Sequence, residues 1–163
     1  MTDESTLTDD LTVRTIEQRI RIAASPATLW SFWTDAEKLC SWWGMSADVE
    51  AETGGLVRIV MGPDGPVMSG RYVDLDPFNR LVFTFGWEGN AHGTELAPGS
   101  TVVEVTFTSL GADTELVLRH TGVPAPNRDE HAKGWALFFG ERLAVAVAAS
   151  TTEQAARAVS GEG

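Results

Sequence analysis

The sequence predicts an α+β domain: a curved antiparallel sheet wrapped around a long C-terminal helix, with two short helices after the first strand. Three observations lead there. Residues 127–157 contain no proline, are rich in Ala, and carry an apolar surface too broad for a peripheral helix. Residues 47–120 read as strand after strand, separated by short turns bearing Gly, Pro, Asn or Asp. Between the first strand and that meander lie two brief helical patterns, each opened by a capping residue. A helix that is apolar around much of its circumference has to be covered, and a curved sheet buries the apolar faces of both elements.

Taken in order, Val13 to Ile22 alternates, with Ile16, Gln18, Ile20 and Ile22 on one side and Glu17, Arg19 and Arg21 on the other. That is the period of a half-buried strand. Ser25 and Pro26 supply an N-cap with proline at the first helical position, and Ala27 to Trp33 follows with Leu29, Trp30 and Trp33 inward. Thr34 and Asp35 cap a second short helix, Ala36 to Ser41, ending near Trp42-Trp43-Gly44. Strands are then expected at 47–51, 56–61, 67–75, 81–87, 101–108 and 114–120. The turn 62–66 (Gly-Pro-Asp-Gly-Pro) is the most emphatic of the breaks, and 88–99 reads as a polar, Gly-rich loop. Short connections make the sheet an antiparallel meander.

The closing helix is expected to start after Pro124 and Pro126, with Asn127 as N-cap and Asp129 and Glu130 favourable in the first turn. It would span roughly 45 Å. His131, Trp135, Phe138, Arg142 and Val145 fall on one face; Ala132, Ala136, Phe139, Leu143 and Val147 form the next stripe. Leu137 widens the apolar surface, while Lys133, Glu141 and Glu153 are left for water.

Composition narrows the function. The 163 residues fit one domain, placed at 13–158, with an acidic tail at 1–12 read as disordered and a flexible end at 159–163. A net charge of −11 without any basic cluster argues against nucleic acid and against anionic membrane surfaces. Cys40, the single cysteine, excludes an intramolecular disulfide and a cysteine-only zinc site, and three scattered histidines give little support for a mixed metal site. No cofactor is expected. With neither a signal-peptide pattern nor a run of transmembrane length, a cytoplasmic protein is the simplest expectation.

No nucleotide loop, nucleophile elbow, metal signature or triad spacing is present. A sheet curled on a helix seldom closes fully, so the gap between them is the default place for a small ligand. The residues expected to line it are Trp42, Trp43, Met45, Met68, Phe85, Trp87, His131, Trp135, Phe138 and Arg142. Six tryptophans in this length exceed what a minimal core needs. His120, inward at a strand end, and His131, one turn before Trp135, are the candidate acid–base groups, each with a structural hydrogen-bonding role as its alternative. His92 reads as a solvated loop residue. Arg142 would be costly on an apolar face unless paired or bound to an acidic ligand, whereas Arg58 and Arg71 are expected to face outward from strands.

From about Val13 onward the chain resembles the helix-grip fold of the START and birch-pollen-allergen superfamily. More narrowly, it resembles the branch similar to the C-terminal domain of the activator of heat-shock-protein-90 ATPase. The residues that carry the resemblance are 24–30 (Ala-Ser-Pro-Ala-Thr-Leu-Trp), 33–39 leading to Trp42-Trp43-Gly44, 52–55, 70–72 ahead of 76–82, 84–87, 114–120 and 131–135. Three alternatives stand, the first drawn from the expected aromatic-lined cavity and the lack of an assembled catalytic set, the last from the resemblance alone. One is a non-enzymatic binding domain for a small hydrophobic or aromatic molecule. Another is a polyketide-cyclase- or hydrolase-like enzyme with His131 or His120 as acid–base and Arg142 orienting an anion. The last is a regulator of a chaperone ATPase in the stress response, although the family's chaperone activators carry an additional N-terminal domain. A homodimer through an edge strand or the Trp42-Trp43 region is also open.

Overall fold

The computed structural model describes residues 15–90 and 96–150. The acidic tail, His92 and the expected helical residues 151–157 lie outside the described residues.

Seven strands form one antiparallel sheet: β1 (Thr15–Ile22), β2 (Ser46–Val49), β3 (Leu56–Val60), β4 (Val67–Asp76), β5 (Arg80–Phe85), β6 (Thr101–Leu110) and β7 (Asp113–Thr121). Their order across the sheet is β1-β7-β6-β5-β4-β3-β2. The first strand thus pairs with the last, Ile16 opposite His120, and everything between is a meander. The curvature has local causes. A bulge between Tyr72 and Asp74 disturbs the β4–β5 register and pushes Val73 outward. Two residues before the bulge, Gly70 lies so close to β5 that a Cβ would sit 1.8 Å from the Thr84 carbonyl oxygen. Only glycine permits that approach.

Helix α1 (Pro26–Thr34) and helix α2 (Ala36–Cys40) follow β1. Ser25 caps the first by accepting from the Thr28 amide, and Asp35 caps the second by accepting from the Lys38 amide. Both caps are as the sequence predicts. Leu29, Phe32, Trp33 and Leu39 are buried beneath them. The Tyr72 hydroxyl donates to the Trp33 carbonyl at 2.8 Å, tying the helix pair to the sheet.

The long helix departs from expectation at its start and in its middle. Helix α3 begins at Ala125, with Pro124 as the N-cap residue, so Pro126 lies inside the first turn and Asn127 is not the cap. Proline is tolerated there because first-turn amides have no intrahelical acceptor. After Leu137 the helix passes through a π-helical segment, Phe138–Arg142, then resumes α-helical geometry through residue 150. The wide turn changes which residues face the sheet. His131, Trp135, Phe139, Leu143 and Val147 are buried at a constant spacing of four. A straight α-helix would rotate that series steadily off the core, and the extra residue of the π turn holds it there. Consequently Arg142 is turned to solvent and Val145 is 69% exposed; Ala136, ahead of the π turn, also lies on the outer side. Gln18, the lone polar residue on the inner side of β1, donates to the Ala132 carbonyl at 3.0 Å and seats the helix on the sheet edge.

Candidate functional site

Beside Trp135 a cavity of about 520 Å³ opens between helix, sheet and the β3–β4 turn. Its walls include the rings of Trp43, Phe85, Trp87, Trp135 and Phe138, with Pro66 at the turn side. The aromatics arrive from several elements. Phe85 ends β5; Trp87 continues that line through a bridge to Met68; Trp43 follows α2; Trp135 and Phe138 lie one turn apart on the helix. They form a connected stack: Trp43 lies nearly parallel to Phe85, at 6°, and its ring centroid is 5.1 Å from that of Trp135.

Two histidines run through the stack. The Trp87 indole donates to His131 Nε2 at 2.9 Å. An indole N–H is only a donor, so Nε2 is an acceptor and the proton of the neutral ring sits on Nδ1. Nδ1–H then donates to the Asn127 carbonyl at 2.8 Å. The Trp135 indole donates to His120 Nδ1 at 3.0 Å, which puts that ring's proton on Nε2. His120 Nε2–H donates to Thr101 Oγ1, whose hydroxyl passes the chain on to the Phe85 carbonyl at 2.8 Å. Both rings are therefore held neutral by their partners. His120 is fully buried, and burial, reinforced by nearby His131, pushes its pKa down to about 3.

The expected lining residues divide. Trp43, Phe85, Trp87, His131, Trp135 and Phe138 meet around the cavity. Trp42, Met45, Met68 and Arg142 lie outside its lining. Trp42 is wedged against Trp33 at 4.7 Å, with its indole bonded to the Phe32 carbonyl, so it belongs to the helix pair. Met68 is fully buried in the core, and Met45 is 55% exposed just before β2. Arg142 is carried away by the π turn and lines a second hollow of about 770 Å³ among α1, α2 and the helix end. Its guanidinium lies 5.0 Å from the Phe138 ring centroid. A histidine and Arg142 thus do not converge on one void. Arg58 makes a two-point ion pair with Glu88, and Arg71 donates to the Gly54 carbonyl. Among the described residues no group of three or more His, Cys, Asp or Glu is arranged to hold a metal ion, and no helix is long and apolar enough to cross a membrane.

The structure adds Met61, Gly65, Pro66, Glu130 and Gly134 to the lining. Glu130, Gly134 and Phe138 follow one another at a spacing of four beside the 131–135 pair, a signal present in the sequence. The fold of the 62–66 turn over the helix has no local signal.

Residues 23–148 match the family model described as Activator of Hsp90 ATPase homolog 1-like protein. The chain belongs to this family. Among curated relatives, the human protein named Activator of 90 kDa heat shock protein ATPase homolog 1 is 28% identical over 119 residues. That alignment covers 73% of this chain but 32% of the human protein, so the chain corresponds to about a third of that relative's length. Solved structures share the fold, among them the following two. Protein MLL2253 from Mesorhizobium loti superposes with a TM-score of 0.70 at 23% identity, covering 82% of this chain and 96% of its own. The Aha1 dimer from Colwellia psychrerythraea gives 0.61 at 19% identity, covering 77% and 90%. The seven-stranded sheet gripping a long helix is the helix-grip architecture expected from the motifs.

Proposed function

We propose that this family member is a binding domain for a small hydrophobic or aromatic molecule, held in the cavity between sheet, β3–β4 turn and helix. One observation carries the reading. The cavity is walled by five aromatic rings, while the polar edges that accompany them, the Trp87 and Trp135 indoles and both histidines, are bonded within the protein. A ligand would meet ring surface without leaving buried polar groups unpaired. The volume of about 520 Å³ lies within the range of small-molecule sites. Trp43, Trp87 and Trp135 make their own reporters. Titration with an apolar aromatic probe should shift and quench tryptophan emission saturably, and native mass spectrometry of freshly purified protein should show a retained small molecule. No saturable change across a panel of apolar probes, together with a crystal structure in which Phe138 and Pro66 close the space, would remove this reading.

A second reading follows from the relatives' names: the domain contributes to regulating a heat-shock-protein ATPase. It is tested by adding the purified chain to that ATPase. A reproducible change in turnover that saturates with domain concentration supports it, and unchanged turnover with no co-purification counts against it. The two readings place their contacts differently, since cavity variants should affect ligand binding and leave a surface interaction unchanged.

A further inference from the structure

The charge of the cavity's occupant is written in its lining. Glu130 is the lining's acidic side chain, and neither Lys nor Arg is present there. The donors that would recognise a carboxylate or phosphate are committed elsewhere: the Trp87 and Trp135 indoles to histidine nitrogens, and His131 Nδ1–H to the Asn127 carbonyl. Converting His131 into a cation, to attract an anion, would put a proton on Nε2 and break its bond with Trp87. An anionic ligand would therefore enter an acidic protein of net charge −11 and find aromatic faces, which are negative. A cation finds the opposite. The rings of Trp43, Phe85, Trp87, Trp135 and Phe138 line the cavity, an electron-rich wall for an ammonium group, and tryptophan is the strongest acceptor of that kind. Phe138 already bears such a contact from outside the cavity, with the Arg142 guanidinium 5.0 Å from its centroid.

We propose that the cavity selects organic cations, an ammonium group carried on an aromatic or aliphatic body, over neutral molecules and carboxylates of the same shape, with Glu130 at the mouth reinforcing the choice. This rests on the ligand-binding reading and narrows it. The test uses three probes on one naphthylmethyl scaffold, ending in trimethylammonium, hydroxyl or carboxylate. Binding is followed by tryptophan fluorescence at about 50 mM and about 500 mM salt. The ammonium probe should bind about tenfold more tightly than the alcohol, and the carboxylate more weakly than either. Glu130 is exposed, so Glu130→Gln should fold normally. It should reduce the ammonium probe's advantage over the alcohol about threefold. Phe138→Leu should weaken the ammonium probe more than the alcohol. Equal binding of ammonium and alcohol, or tightest binding by the carboxylate, overturns the charge selectivity while leaving the cavity a binding site. If none of the three binds, the ligand-binding reading falls and the selectivity falls with it.

Discussion

On the outer face of the sheet, charge runs across five strands as a chain of ion pairs. Glu17 on β1 meets Arg119 on β7, which reaches Glu104 on β6; Glu104 accepts from Arg80 on β5, and Arg80 donates to Asp74 on β4. Every side chain in that chain is 25–52% exposed. The inner face handles its polar groups differently. His120, Thr101, Trp135, His131 and Trp87 are buried, and each ring nitrogen of the two histidines is hydrogen-bonded within the protein. Water can replace any member of the outer chain. Nothing replaces a member of the inner one, so the same kind of contact carries very different weight on the two sides.

The largest expected effect follows from removing His120. His120→Ala strands the Trp135 indole and opens a void beside Phe85, whose ring centroid is 4.4 Å from the imidazole. The loss should be about 3 kcal/mol in urea denaturation. His120→Gln, which keeps an acceptor, should recover part of it. A loss for His120→Ala no larger than that of an outer-face variant would erase the contrast between the faces.

Next in size is a pH effect with a definite sign. His120 titrates near 3 in the folded protein against about 6.5 when unfolded. Between those values the unfolded chain binds the extra proton, so the stability due to the neutral ring is complete above about pH 6.5 and falls as pH drops toward 3. The slope approaches about 1.4 kcal/mol per pH unit within that window. Denaturation midpoints measured from pH 7 to pH 5, above the range where most carboxylates titrate, should fall in the wild type and fall less in His120→Gln. Parallel curves would show that His120 is not the group responsible.

These two faces were not equally legible in the sequence. Alternation alone placed Glu17 outward and His120 inward, because period two is a local property of a strand. The caps at Ser25 and Asp35 were equally local. The cavity was legible where helix periodicity held, at His131, Trp135 and Phe138, and it failed at the end of the π turn, where Arg142 left the predicted face. A wide turn is selected by the packing of Phe139 and Leu143 against the sheet, which no local spacing encodes. The same holds for Trp42 and Trp43. Adjacent in sequence and stacked on each other, they differ in their further partners, Trp42 packing on Trp33 and Trp43 on Phe85 and Trp135.

A smaller effect sharpens the inner face as a wall with room beside it. Gly134 lines the cavity within the helix, and a Cβ built there meets no atom within 4 Å. Gly134→Ala should therefore raise stability by about 1 kcal/mol through helix propensity, read as a higher denaturation midpoint. The added methyl should at the same time weaken the binding of a probe that fills the cavity. A destabilised Gly134→Ala protein would mean the space is smaller than the structure gives.

The smallest effect belongs to the outer face, at Arg119. Its Nε donates to Glu17 at 2.5 Å, and the guanidinium lies 3.7 Å from Glu104. Burial would make such a hub expensive to break, but Arg119 is 47% exposed and Glu17 46%. Solvent screens both pairs, and water can take over each carboxylate when the arginine is gone. Arg119→Ala should therefore cost about 0.5 kcal/mol at low salt, and the difference from wild type should shrink as ionic strength rises above the point where the Debye length falls to a few ångströms. A double-mutant cycle with Glu17→Ala isolates the coupling from the loss of the arginine's packing on the strand. A coupling of several kcal/mol that ignores salt would mean that the outer chain works like the inner one, as a network whose members depend on each other, and the contrast between the two faces would no longer hold.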